Sequence, residues 1–80
     1  MLDTAIGPVT AVLNDLTFQM NVTHIGKHNQ FRYNKYETVF VAANKTGMNI
    51  LNLRGRRVRC HVRYRDVFNR LFADVELDYT

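Results

Sequence analysis

From Arg57 to Arg65 the chain alternates without exception. Val58, Cys60, Val62 and Tyr64 fall on one side, and Arg57, Arg59, His61, Arg63 and Arg65 on the other. Such a period of two marks a β-strand with one buried and one wet face, because a helix would wrap both classes around its axis. Leu16, Phe18, Met20 and Val22 alternate in the same way with Thr17, Gln19, Asn21 and Thr23. Residues 36–43, Tyr-Glu-Thr-Val-Phe-Val-Ala-Ala, are rich in β-formers and become apolar on both faces, as in a strand covered on two sides. Asn44 to Gly47 reads as a hairpin loop with Gly47 at positive φ, and Met48 to Leu53 as the returning antiparallel strand.

Turn signals at Gly7-Pro8, Asn14-Asp15, Gly26 to Asn29, Asn44 to Gly47, Arg54-Gly55 and Asp66 to Asn69 recur roughly every ten residues, the rhythm of an all-β meander, sandwich or small barrel. The expected fold is therefore mostly β: a small antiparallel sheet or partly open barrel of about five to six strands, in one small domain over residues 1–80. Two segments also satisfy helical spacing. Pro8 could open a short N-terminal helix over 8–16, with Val9, Val12, Leu13 and Leu16 on one face. Val67, Phe68, Leu71, Phe72 and Val75 make a helical stripe over 66–77. The alternative fold is thus α+β. Against the second helix, Arg70 comes early and Asp74, Glu76 and Asp78 come late, the reverse of what a helix dipole favours.

As a strand, Arg70 to Tyr79 pairs with Arg57 to Arg65 in one register that satisfies both faces. Around a four-residue loop, Asp66 to Asn69, Val58 meets Leu77, Cys60 meets Val75, Val62 meets Ala73 and Tyr64 meets Leu71, all toward the core. On the wet face Arg57 meets Asp78, Arg59 meets Glu76, His61 meets Asp74, Arg63 meets Phe72 and Arg65 meets Arg70. Three bases then have acidic neighbours. The unmatched bases gather at the turns: Arg54, Arg56, Arg63, Arg65 and Arg70.

Charge adds one further clue. The net charge is +4, and residues 1–40 balance three bases against three acids, whereas residues 41–80 hold eight bases and four acids. An uneven basic surplus suits an anionic partner, nucleic acid or an acidic protein surface. Phe31-Arg32-Tyr33-Asn34-Lys35-Tyr36 interleaves rings with bases, the combination that stacks nucleobases and holds phosphates on small sheets. Phe68 at a loop tip and Phe72 on the wet face are candidate protein contacts. They would suit a homo-oligomer or a small accessory protein of viral or phage type.

Catalytic chemistry is thinly represented. The chain has no Ser, a single Cys60 on the apolar face, and four scattered glycines that form no phosphate loop. His24 and His28 flank Gly26, and neighbours Cys60 and His61 point to opposite faces of a strand, so no metal set forms. A lone cysteine, no signal-type leader after Met1 and no apolar run of spanning length predict a cytoplasmic protein without membrane contact. On the same ground the triplets Asn21-Val22-Thr23 and Asn44-Lys45-Thr46 are taken as chance matches to a glycosylation signal. The expectation is a binding module with no catalytic residues, cofactor, metal or small-molecule substrate. It uses Arg54, Arg56, Arg63, Arg65, Arg70, Arg32, Tyr33 and Lys35. A small metal-independent ribonuclease centred on His61 is the outlying alternative.

Overall fold

The strand-forming segments pair so that one apolar face of each turns inward around a closed wall. A computed structural model describes residues 2–79. Its strands are β1 (Asp3–Asn14), β2 (Thr17–Asn21), β3 (His24–Ile25), β4 (Tyr36–Asn44), β5 (Arg57–Arg65) and β6 (Leu71–Leu77), with a 3-10 turn at Ile50–Asn52. The sheet order is β2-β4-β6-β5-β1-β3, and β1 also pairs with β2. That extra pairing closes β1, β2, β4, β6 and β5 into a five-stranded barrel. All pairs are antiparallel except β4 with β6, which run parallel.

Closure depends on β1 serving two partners. Asp3 to Pro8 pair with β5, and Val9 to Asn14 pair with β2. Pro8 has no N–H to offer a ladder, so it sits where one pairing gives way to the next. Val9 sends its N–H to the Arg56 carbonyl at 2.8 Å, and a bulge between Val9 and Ala11 re-aims the strand. At Gly7 the carbonyl of Asn21 crosses where a Cβ would stand, so only glycine fits the crossing. Neither helical alternative forms. Residues 8–14 are strand, the Asn14 carboxamide caps a tight turn by accepting the Leu16 N–H at 2.9 Å, and residues 71–77 are β6.

The expected strand at Met48 to Leu53 is also not one. Ile50 and Leu53, three apart, would point to opposite faces of a strand but share a face in a 3-10 turn, and both are buried. The Asn49 side chain starts that turn by accepting the Leu51 N–H at 3.0 Å. The chain thus crosses the barrel end and plugs it with two apolar side chains. Gly47 and Gly55 take the positive φ that their turns require, 75° and 83°.

The β5–β6 register is the expected one from Val58↔Leu77 through Val62↔Ala73. Beyond Val62 a bulge inserts one residue, and Tyr64 faces Phe72 while Arg65 faces Leu71. Strict alternation places Tyr64 in the core, and the structure corrects this. The bulge puts Arg63 and Tyr64 on the outside together and turns Arg65 inward. The loop becomes five residues, closed by the Asp66 N–H to the Arg70 carbonyl at 2.8 Å, with Asn69 left-handed at φ 64°.

Inside lie Ala5, Val9, Phe18, Met20, Val39, Val41, Val58, Cys60, Val62, Leu71, Ala73 and Val75. The Cys60 thiol sits 3.7 Å from the Met20 sulfur, and burial alone pushes its pKa up to about 12. Thiolate is the reactive form. Cys60 is therefore expected to resist alkylation in the native protein and to react promptly in denaturant, read by mass spectrometry after timed quenching. Prompt native labelling would place the thiol outside the barrel.

Candidate functional site

Strand directions bring Asp3, Tyr33, Glu37 and Arg65 to the end of the barrel opposite Ile50 and Leu53. Glu37 and Arg65 both point inward there, with side chains 3% and 19% exposed. Arg65 grips the Glu37 carboxylate with two N–H···O bonds, 2.9 and 3.1 Å, and donates to the carbonyls of Arg32 at 2.7 Å and Asn69 at 3.1 Å. Glu37 also accepts the Asn34 N–H at 2.8 Å. The Asp3 carboxylate takes the N–H groups of Gln30 and Phe31 and the Tyr33 hydroxyl, at 2.8–2.9 Å. These two carboxylates hold residues 30–34 as a loop over the barrel mouth, not as a strand that interleaves rings and bases.

Two predicted binding residues, Tyr33 and Arg65, therefore serve the plug. Tyr33 folds inward, with its ring 5.8 Å from the Arg65 guanidinium. Burial first, then the hydrogen bond to Asp3, hold its hydroxyl in the neutral form, with a pKa well above the ordinary value. Arg32 and Lys35 stay on the exposed side of the loop, and Lys35 lies over the Tyr36 ring at 5.5 Å.

Five of the seven arginines from 54 to 70 have acidic partners: Arg57 and Arg59 share Asp78, Arg63 holds Asp74, Arg65 holds Glu37 and Arg70 holds Asp66. The pairs run mostly diagonally rather than straight across, and Glu76 lies 3.4 Å from His61. Arg54 and Arg56, exposed at the turn before β5, have no acidic partner among the described residues.

On the outside, the bulge assembles a feature that sequence reasoning missed. Phe40, Phe72 and Tyr64 are register partners across β4, β6 and β5, so they form one row perpendicular to the strands. Ring centroids are 5.8 Å apart for Phe40–Phe72 and 5.0 Å for Tyr64–Phe72. The Arg70 guanidinium covers Phe40 at 4.8 Å and Phe68 at 5.1 Å. Phe68 thus extends the row into the β5–β6 loop, at 75% exposure, beside Val67 at 94%. Asp66 makes that loop firm: its carboxylate accepts the N–H groups of Phe68 and Arg70 and the Arg70 Nε, at 2.8–2.9 Å. Arg70 keeps its other guanidinium N–H groups unengaged among the described residues. One signal in the sequence pointed here. A strand apolar on both faces leaves Phe40 outside if no second layer covers it.

No protein-family model matches the chain, and no curated protein or solved structure matches it either. Numbered around the wall, the barrel strands run 1-2-3-5-4-1 with the third and fifth parallel. Among the described residues, no helix is long and apolar enough to cross a membrane.

The geometry sorts the arginines by what their loss should cost. Arg65→Ala leaves the Glu37 carboxylate buried without its cation, an expected loss of about 3–5 kcal/mol, while Arg54→Ala should stay within about 0.5 kcal/mol. Urea unfolding midpoints measure both, and equal effects would remove the plug's structural role.

Acid should act through the same groups. Burial raises the Asp3 carboxyl, but the Phe31 and Gln30 N–H groups and the Tyr33 hydroxyl outweigh it, so it lies below its ordinary 3.8. The Arg63 guanidinium lowers Asp74 likewise. Depressed carboxylates stabilise the fold above their unfolded pKa, and that stability disappears as pH falls through the folded values. Stability should therefore hold from neutrality to about pH 5 and fall below about pH 4. Asp3→Asn should be weaker at neutrality and show a shallower acid loss. An unchanged acid slope would overturn this role for Asp3.

Proposed function

We propose that the protein is a non-catalytic binding module that holds single-stranded nucleic acid on the aromatic row Phe40–Phe72–Tyr64 and the Phe68–Arg70 loop. The row carries the reading: three rings in one register, held apart from the core, present faces on which successive bases can stack. Each stacked base contributes about 1–3 kcal/mol and demands little sequence, because every base has a π-face. A duplex hides its base faces, so the ligand is a single strand. Arg63 and Arg70 stand at the row with spare N–H donors for phosphate oxygens. The closed five-stranded wall with its 1-2-3-5-4-1 order resembles the oligonucleotide- and oligosaccharide-binding (OB) barrel, and supports the reading at the level of fold analogy alone. Phe40 lies on the third barrel strand and Phe68 in the loop between the fourth and fifth, two of the parts such barrels use for ligands. A cytoplasmic location fits this role.

Val67 and Phe68, the most exposed apolar neighbours among the described residues, favour a second reading in which the loop tip docks on another protein or a second copy of this chain. Fluorescence anisotropy with labelled single-stranded oligonucleotides at low salt separates the two. Tyr64→Ala or Phe72→Ala should weaken binding about 5- to 150-fold, and log affinity should fall linearly with log salt. Absent retention at low salt, or variants that bind like the parent, would sink the nucleic-acid reading. Self-association that disappears in Val67→Ser, with no oligonucleotide bound, would install the second.

A further inference from the structure

The aromatic row is charge-neutral once Arg63 and Arg70 are matched with Asp74 and Asp66. The surplus charge must act elsewhere, and it gathers at the opposite end of β5. There Arg57 and Arg59 point outward from the strand on either side of Asp78. Asp78 gives one oxygen to each, Oδ2 to Arg57 Nε at 3.0 Å and Oδ1 to Arg59 Nη2 at 3.1 Å, and its side chain is 2% exposed. One sheltered carboxylate thus fixes two guanidinium groups and cancels only one of them. The adjoining turn adds Arg54 and Arg56, both exposed.

Two details indicate that this end is built to receive an anion. The buried Nε of Arg59 has no hydrogen-bond acceptor among the described residues, although buried donors are nearly always satisfied by protein, water or ion. A hollow of about 160 Å³ is lined by Ile6, His24, Arg57, Arg59 and Asp78. Arg57 is further steadied from the other side, its Nη2 donating to the Thr23 hydroxyl at 2.8 Å and lying 2.9 Å from His24 Nδ1. A larger hollow, about 360 Å³ between the β1–β2 turn and the 3-10 turn, has Asp15 as its only charged lining group and offers an anion nothing.

We infer that the Arg57–Arg59 hollow is a phosphate subsite, which takes a backbone phosphate of the same strand whose bases stack on the aromatic row. The path between them is the outer ridge of β5, from Tyr64 past Arg63 and His61 to Arg59 and Arg57. At 3.3 Å per residue that is about 16–23 Å, a few nucleotides of extended chain and the low end of the range for one barrel of this topology. Stacking at one end and phosphate capture at the other divide the work. The inference rests on the proposed function for its ligand, but the subsite itself does not.

NMR of the arginine Nε–H groups in the intact protein tests it. Titration with inorganic phosphate at constant ionic strength should shift the Arg57 and Arg59 signals along a saturating curve and leave Arg65, whose guanidinium is filled by Glu37 and two carbonyls, nearly still. A drift no larger than that with chloride overturns the subsite. In parallel, affinity for oligothymidylates should rise with length until the ridge is spanned. Arg59→Gln should remove that length gain and reduce the salt slope by about 0.7 for each phosphate no longer neutralised. Oligonucleotides that bind without a length gain would overturn the subsite and leave the proposed function standing. Saturable phosphate with no oligonucleotide binding would do the reverse.

Discussion

The bulge in β5 after Val62 is the constraint on which the barrel's polar mouth and the outer aromatic row both depend. With strict alternation, Tyr64 would enter the core and Arg65 would face solvent. The one inserted residue exchanges them, because side chains on a strand change face with every step. Arg65 then reaches Glu37 and seals the barrel mouth, and Tyr64 completes the row with Phe72 and Phe40. The charged plug requires the slip as much as the aromatic row does. Removing the bulge would leave Glu37 buried without a cation and bury a tyrosine hydroxyl.

The two barrel ends are closed by opposite chemistry. At one, Ile50 and Leu53 bury apolar surface, which needs no partner geometry and tolerates small adjustments. At the other, Asp3 and Glu37 are acceptors that must be filled, and they are filled by N–H groups of residues 30–34 and by Arg65. That polar end is directional, so it fixes the loop path residue by residue. Buried charge pairs of this kind add specificity of arrangement more dependably than net stability. The firm β5–β6 loop beside it follows the same rule, organised by the single carboxylate of Asp66.

Much of this was legible in the sequence, and the failures have physical causes. Alternation in 16–23 and 57–65 located β2 and β5, the β-formers of 36–43 located β4, and complementarity of both faces recovered the β5–β6 register as far as Val62. The bulge was invisible because a binary pattern cannot distinguish an amphipathic Tyr64 turned in from one turned out. Arg65 read as a surface base for the same reason: its buried partner, Glu37, lies on a strand far away in sequence. The interleaved segment Phe31 to Tyr36 looked like a strand, yet its backbone N–H groups are claimed by Asp3 and Glu37, acids whose local context gave no sign of that task. Ile50 and Leu53 at i, i+3 did carry a signal against a strand, and a stricter count of spacing would have found it.

The distribution of rings sharpens the functional argument. Five Phe and four Tyr suggest a core built partly from aromatics, but Phe18 is the one ring fully buried among the described residues. The barrel is filled by Val, Leu, Ala, Met and Cys, whose volumes suit a five-stranded interior. Phe40, Phe72, Tyr64 and Phe68 are thus surplus to the core and sit where apolar surface favours association. Exposed rings grouped in register with a guanidinium across them have a cost in solubility that scattered rings would avoid. The arrangement makes physical sense when something planar or apolar covers it. The single strand proposed as ligand would engage the rings, the spare N–H donors and the basic end of β5 together.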